Sequence, residues 1–427
     1  MKRILLFGAG KSATSLIRYL LNITASRGWQ LVVAESNLGL AESKIAGYPQ
    51  ASAVAADVTH EEGRDTLVSA ADLVISLLPP ALHFGVALSC LKKGKHLLTA
   101  SYLDDSVRTL EPQIRDRGLF FLCEMGLDPG IDHMSALQLI RGIEATGGRI
   151  HSFHSHTGGL VAPESDDNPW HYKISWNPRN VVLAGSAGAR YRENGSVVTT
   201  GYASLFERPG TVQAPGIGEL AWYPNRDSLS YIPLYGLEPT RTFIRTTLRY
   251  PGYCRGWAAL VRAGLTDDKT PVDPQGLSFA AWSAPLRPFV DPSIAEQLEF
   301  LGCFDPGPVP ASARTNADIL QFLLETRLAM KPADKDMIVM IHELGFEREG
   351  TDFVAKSTLV VKGEDSLHTA MARTVGLPLG IAAVLVLEGR ITLHGLHIPI
   401  LPAIYEPVMA ELQRQGIRFE HEISSPR

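Results

Sequence analysis

Short apolar runs recur through the first third of the chain, separated by segments with apolar residues at helical spacing. Ile4–Phe7, Leu31–Ala34, Ala53–Ala56, Asp72–Leu78, Lys95–Ser101 and Gly118–Cys123 each read as a buried strand, and Pro79-Pro80 stops the fourth. Leu16, Ile17, Leu20 and Leu21 mark a helix after the first of them. Strands alternating with helices predict a doubly wound parallel sheet of the α/β class. The pattern then changes. Arg149–His156 and Thr242–Tyr250 alternate as half-buried strands, and Met337–His342 and Lys356–Val361 return to strand character around a hairpin at Glu349-Gly350-Thr351. Between them, 251–335 is rich in Pro, Trp and Leu and mostly helical, most clearly at Ala317–Glu325. The tail carries a helix at Ile404–Gln415, a Gly416 stop and a strand at Ile417–Glu422, placed to rejoin the first sheet. The pattern divides the chain into a sheet domain over 1–130, completed by about 395–427, a mixed α/β domain over 131–250 and 336–394, and a helical insertion over 251–335.

Composition adds exclusions. The 427 residues are 45% hydrophobic and 20% charged with a net charge of −5, which gives no reason to expect nucleic acid or an anionic membrane as partner. The opening apolar run is too short for a signal peptide or membrane span, and no other apolar segment approaches the ~20 residues a span needs. Cys90, Cys123, Cys254 and Cys303 are widely spaced, form no zinc pattern and suit a reducing, cytoplasmic setting.

The first strand runs into Gly8-Ala9-Gly10-Lys11-Ser12-Ala13-Thr14, the G-x-G-x-x-A form of the dinucleotide fingerprint. Gly8 permits the tight turn, Gly10 lets a pyrophosphate approach the backbone, and Ala13 lets the helix pack closely. The phosphates would meet the helix N-terminus. Glu35 ends the second strand, followed by Ser36, where an acidic residue accepts hydrogen bonds from ribose hydroxyls and repels a 2′-phosphate. NAD is therefore the expected cofactor, with NADP the alternative. Asp57 and Val58 end the third strand near the adenine edge. Ligands in such sheets sit outside the carboxyl ends of the strands, which gathers Ser76, Leu77, Leu78, Thr99, Ala100, Ser101 and Tyr102 around the nicotinamide.

Gly126-Leu127-Asp128-Pro129-Gly130-Ile131-Asp132-His133 follows the sixth strand and precedes a helix over Met134–Ile143. Its glycines and proline make a rigid turn whose backbone can approach a ligand, and Asp132 is placed to cap the helix. Asp128 is the leading candidate for proton transfer and His133 the second. His151, His154 and His156 lack a further ligand at a usual spacing, so no metal is expected. Arg245, Thr247 and Arg249 share one strand face, suited either to carboxylate capture or to solvent.

These residues resemble the glutamate-forming saccharopine dehydrogenase (saccharopine reductase) family through nearly the whole chain. The resemblance is carried by Gly8-Ala9-Gly10, Asp72–Leu77, Ala100-Ser101-Tyr102, Glu124–His133, Asp167-Asn168-Pro169, Tyr172–Trp176, Tyr223–Ser228 and Leu248-Arg249-Tyr250. It implies a Rossmann domain, a mixed α/β domain that also forms a homodimer, and a small helical domain. It implies NAD(P)-linked oxidation of saccharopine, an amino-acid secondary amine of lysine metabolism, to glutamate and 2-aminoadipate semialdehyde, or the reverse. By that resemblance Ser101 and Gly126-Leu127-Asp128 line the junction of cofactor and substrate, Trp176 approaches the cofactor, Asn225 and Arg226 hold a carboxylate, and Thr246-Thr247-Leu248 complete the pocket. Two positions depart from the family. NADP users carry Cys-Arg-Thr where this chain has Ala34-Glu35-Ser36, and a paired Ser-Ser is Ala100-Ser101 here. The loss of one hydroxyl keeps open a related imine reductase of the carboxynorspermidine dehydrogenase type. A nicotinamide-binding sensor without turnover is the reading from a different class.

Overall fold

The structure is a computed structural model that describes residues 1–425, folded as two compact units. The first comprises Met1–Leu139 and Ala370–Arg418. Its strands β1 (Arg3–Phe7), β2 (Gln30–Glu35), β3 (Ala51–Ala55), β4 (Leu73–Ser76), β5 (His96–Thr99) and β6 (Phe120–Leu122) pair in the order 6-5-4-1-2-3. Every pairing is parallel, and a short strand at Gly395–His397 adds to the outer side of β6. The helices include α1 (Thr14–Arg27), α2 (Leu38–Ile45), α3 (Glu61–Ser69) and α4 (His83–Lys93). Strand order reverses at β1, which lies between β2 and β4, and this switch point opens a crevice at the carboxyl ends. Leu5, Phe7, Val32, Val74, Leu97 and Phe121 build the core that fixes it.

The tail differs from the sequence expectation in two ways. The strand that rejoins the first sheet is Gly395–His397, whereas the terminal strand Glu420–Ser424 pairs antiparallel with the second sheet. The first unit also takes the helix Ala370–Leu387, which the periodicity had assigned to the second. This helix is apolar all round and needs cover on every side. With a mean hydropathy of 1.9 it is long enough to cross a bilayer, but 78% of it is buried. It lies on α1, where a Cβ at Gly376 would stand 2.8 Å from the Leu16 nitrogen.

The second unit spans Ile140–Thr369 and the residues from Phe419 onward. Its large mixed sheet is built on the long strands β7 (Arg149–Val161), β13 (Thr242–Arg249), β14 (Asp336–Arg348) and β15 (Thr351–Lys362); the strands from β8 to β12 are Ala189–Glu193, Ser196–Thr200, Gly210–Ala214, Gly218–Pro224 and Arg226–Asp227. β14 and β15 form the hairpin that the turn residues predict. The helical stretch 251–335 is continuous with this unit. Trp257, Leu298, Leu320 and Leu324 share one core with Trp170, Tyr172, Val182 and Phe206.

Candidate functional site

In the first unit the glycine turn sits at the end of β1. Gly8 has φ 99° and its absent Cβ would lie 2.6 Å from the Leu77 carbonyl oxygen, so folding alone requires glycine there. Gly10 has nothing within 4 Å of the same point. The space beside it serves no packing within the chain, which suits a pyrophosphate against the backbone. Lys11–Ala13 forms a 3-10 turn leading into α1, and no side chain caps either N-terminus. The first N–H groups are thus directed at a ligand position. Lys11 and Ser12 lie on the accessible side, while Ala13 and Thr14 are buried.

Glu35 reaches into this turn. Its Oε2 accepts from Ala9 N at 2.7 Å, and its Oε1 accepts from Ser36 N at 2.9 Å and Ser36 Oγ at 2.8 Å. Burial opposes the charged form, but the hydrogen bonds from Ala9, Ser36 and Asn37 outweigh it and hold the carboxyl below its ordinary value. A carboxylate therefore stands where adenosine ribose hydroxyls would meet β2. Sequence reading missed Lys44 of α2, whose Nζ donates to Gly10 O at 2.7 Å and Thr14 Oγ1 at 2.9 Å. Burial pushes that ammonium down to about 8, against the opposing pull of Glu35. Asp57 is exposed, its Oδ1 accepting from Thr59 N and Oγ1, and Val58 is half-buried against the core. The residues present fit a nicotinamide dinucleotide.

Leu77 and Leu78 follow β4 half-buried at the switch point, and Thr99 Oγ1 accepts from Ser101 N at 3.3 Å. The Asp128-Pro129 bond is cis, and Gly126 N donates to Pro129 O at 3.0 Å. A Cβ at Gly130, at φ 146°, would fall within 2.4 Å of Gly126 backbone atoms, and one at Gly126 would lie 3.1 Å from Ala100 Cβ. The turn requires glycine at 130 and leaves little room for a side chain at 126. Leu127 is buried, while Asp128 is partly open and accepts from Tyr102 Oη at 3.1 Å. The following helix starts at Ile131, so Asp132 lies in its first turn and reaches back to accept from Gly130 N at 2.6 Å.

His133 is fully buried, with Nε2 2.9 Å from Glu124 Oε2, and Glu124 Oε1 accepts from Leu103 N at 3.0 Å. That geometry braces the turn and leaves His133 no exposed surface. His83 was absent from the sequence reading. It opens α4 and bridges Ser76 Oγ at 2.8 Å and Ser101 Oγ at 2.7 Å. Only its place just beyond Pro79-Pro80, at the carboxyl end of β4, could have signalled it.

In the second unit, alternation divides the predicted pocket residues. Arg245, Thr247 and Arg249 share one face of β13, and Thr246 and Leu248 face the other way. Leu248 belongs to an apolar core with Leu160, Leu220 and Val339, and Thr246 Oγ1 is bonded to His156 Nδ1 at 2.7 Å. Those two cannot line the same pocket as Thr247, because the side-chain period of a strand is two. Thr247 is half-buried, and Arg245 lies at 4.3 Å beneath the Tyr231 ring, 2% exposed. Arg249 is enclosed by the rings of Tyr172, Tyr223 and Tyr253 at 5.1–5.8 Å. Trp176 joins this cluster by donating its indole N–H to Tyr172 Oη at 3.2 Å.

Asn225 and Arg226 follow β11, with Asn225 N donating to Arg245 O at 2.8 Å. Arg226 is exposed and stands at φ 49°, a conformation that costs energy for a residue with a Cβ and is characteristic of functional sites. His154 and His156 stack at 6.0 Å, and His156 Nε2 lies 3.6 Å from Glu343, which Lys356 approaches to 3.2 Å. Burial would raise Glu343, but His156 and Lys356 outweigh it and hold the carboxyl at about 2.

Two family models meet at the turn that follows β6. Residues 4–122 match the saccharopine dehydrogenase NADP binding domain, and residues 126–417 match the saccharopine dehydrogenase C-terminal domain. The chain is 33% identical over 454 residues to the saccharopine dehydrogenase (NADP(+), L-glutamate-forming) of Schizosaccharomyces pombe, covering 99% of each chain. It is 36% identical over 384 residues to the mitochondrial alpha-aminoadipic semialdehyde synthase of Bos taurus, covering 84% of this chain. It spans only 41% of that relative's length. The apo saccharopine dehydrogenase (L-Glu forming) from Saccharomyces cerevisiae superposes with a TM-score of 0.87 at 32% identity, covering 99% of this chain and 100% of that one. A homospermidine synthase from Legionella pneumophila, at 10% identity and a TM-score of 0.58, shares the fold. The chain belongs to the saccharopine dehydrogenase family.

Proposed function

We propose that this protein is a glutamate-forming saccharopine dehydrogenase, an oxidoreductase acting on a CH–NH donor in lysine metabolism, and that NAD is its preferred cofactor. The observation that carries the reading is the Asp128 carboxylate, held by Tyr102 on the turn that follows β6. The family relatives support the substrate class. When bound, the dinucleotide supplies the hydride acceptor, and Gly10, the α1 N-terminus and Glu35 are the residues that would hold it. Asp128 accepts the proton of the substrate's secondary ammonium as the C–H bond at the lysine ε-carbon breaks. Once that proton has passed to solvent, the carboxylate takes one from the water that adds to the resulting iminium, delivers it to nitrogen, and takes the carbinolamine's hydroxyl proton as the C–N bond opens to glutamate and the semialdehyde. One carboxylate at one position can serve each transfer in turn. Arg226 and Asn225 anchor a substrate carboxylate by charge-assisted hydrogen bonds.

The preference for NAD rests on Glu35, since a carboxylate held ionised repels a 2′-phosphate. The matched family model and the yeast relatives are named for NADP, so this chain would differ from them in cofactor preference. The test is reduced-nicotinamide formation from saccharopine with each cofactor in turn. Turnover with NAD well above that with NADP is the expected result; no oxidation of saccharopine with either defeats the reading. The same reading carries the expectation of a homodimer, checked by light scattering.

A further inference from the structure

The first unit contains a hydrogen-bonded chain that this proposed function does not by itself require. Ser76 is the last residue of β4, His83 the first of α4, and Ser101 follows β5. His83 uses both ring nitrogens, Nδ1 toward Ser76 Oγ at 2.8 Å and Nε2 toward Ser101 Oγ at 2.7 Å. Ser76 is fully buried, His83 is 6% exposed, and Ser101 is half-buried. Burial pushes the imidazole down to about 4, with only Asp104 opposing, so the ring is neutral at working pH. A neutral imidazole has one donor and one acceptor, which leaves the chain two possible directions.

Ser76 decides between them. Among the described residues its hydroxyl has no hydrogen-bond partner other than His83 Nδ1. A buried hydroxyl proton without an acceptor is costly, so Ser76 donates to Nδ1. The ring proton then sits on Nε2 and is donated to Ser101 Oγ. One lone pair of Ser101 is occupied, and its own proton must point elsewhere.

We infer that His83 is a positioning residue that fixes Ser101 as a hydrogen-bond donor toward an anionic or carbonyl oxygen of the substrate. This rests on the proposed function for the identity of that substrate. It also gives a consequence to Ala100. Where the family resemblance has two adjacent hydroxyls, this chain has one, and its direction is set from behind by a ring that never touches the ligand.

Two independent measurements test it. In protein carrying 15N-labelled histidine, long-range proton–nitrogen correlations report the tautomer directly, with His83 assigned by its loss in His83→Gln. A pyridine-like Nδ1 and a pyrrole-like Nε2 are expected from pH 6 to 8. The opposite tautomer, or an imidazolium, overturns the inference. In steady-state kinetics, His83→Ala and Ser101→Ala should each raise KM for saccharopine about 10-fold, with dinucleotide affinity held within about 2-fold. The double variant should be no worse than Ser101→Ala alone. His83→Gln, whose amide can reproduce the Nε2 donor, should recover KM to within about 3-fold of the parent. Multiplying effects, or lost dinucleotide affinity in His83→Ala, would show a merely structural ring. If the parent does not oxidise saccharopine at all, the proposed function fails, while the tautomer is still read from the spectrum.

Discussion

Replacing Glu35 with Gln removes one charge from the ribose end of the dinucleotide site while keeping the side chain's shape. The amide oxygen can still accept from Ala9 N, so the glycine turn keeps its tie to β2. The bonds from Ser36 N and Oγ to Oε1 are weakened or lost. A 2′-phosphate carries a charge of about −2, and at ~5 Å from a carboxylate in a half-exposed setting of effective dielectric ~40–80 the repulsion is about 1.5–3 kcal/mol. That is roughly 10- to 150-fold in affinity, with solvent screening favouring the lower part of the range. NAD loses in turn a charge-assisted acceptor for its ribose hydroxyls, about 10-fold. The ratio of kcat/KM for NAD over NADP should therefore fall by about 100-fold or more in Glu35→Gln. The assay is saccharopine oxidation with each cofactor, accompanied by dinucleotide affinities at two salt concentrations. Salt should compress the parent's discrimination, because the effect is Coulombic. Lys44 adds a signature of its own. Its ammonium sits beside the turn with a value near 8 that Glu35 supports, so without Glu35 it titrates lower, and the NADP gained by the variant should be strongest well below pH 8 and fade as pH rises toward it. A parent enzyme that prefers NADP, or a ratio unchanged by the substitution, refutes the reasoning.

Other expectations are equally open to test. Asp128→Asn should lower kcat by ~10²–10⁴ with dinucleotide affinity unchanged; a kcat within about 3-fold of the parent removes Asp128 from proton transfer. Arg226→Ala should raise KM for saccharopine about 10-fold or more, on the order of 1.5–3 kcal/mol, and an unchanged KM takes Arg226 out of the pocket. Glu343 has a folded value of about 2 against an ordinary 4.5, so the stability it contributes is present above about pH 4.5 and is lost as pH falls toward 2. Glu343→Gln should accordingly cost about 1–2 kcal/mol near neutrality and flatten the acid limb of a denaturant-midpoint-against-pH curve; an unaltered acid limb means His156 and Lys356 do not stabilise the carboxylate.

The parallel sheet and its glycine turn were legible because both are local. Ile4–Phe7, Gly8-Ala9-Gly10 and the helix after them carry their signal in adjacent residues, and so does the turn at Gly126–His133. What escaped was set by partners distant in sequence. His83 reads as an ordinary helix residue until Ser76 and Ser101, on two different strands, meet its two nitrogens. His133 read as a candidate acid–base group because nothing in the octapeptide reveals that Glu124, nine residues back, closes over it. Thr246 and Leu248 were grouped with Thr247 by resemblance, although the strand's own period sends them to the opposite face. The terminal strand was assigned to the wrong sheet because an edge pairing leaves no mark on either sequence.

The first unit is drawn from both ends of the chain, and this imposes an order on its assembly. The flank of α1 that receives Gly376 and Gly380, at Leu16 and Tyr19, belongs to residues made before the second unit. Its cover, the helix Ala370–Leu387, and the Glu388 that pairs with Arg27, are made only after residues 140–369. At ~5–20 residues per second, the roughly 230 residues (140–369) that separate the two halves take on the order of 10–50 s to synthesise. Throughout that interval the dinucleotide sheet lacks its Gly395–His397 edge and an apolar side of its first helix stays bare, and by its end every long strand of the second unit has been made. The dinucleotide sheet is thus finished only after every long strand of the second unit has been made, and the bare flank of α1 needs cover while the chain between grows.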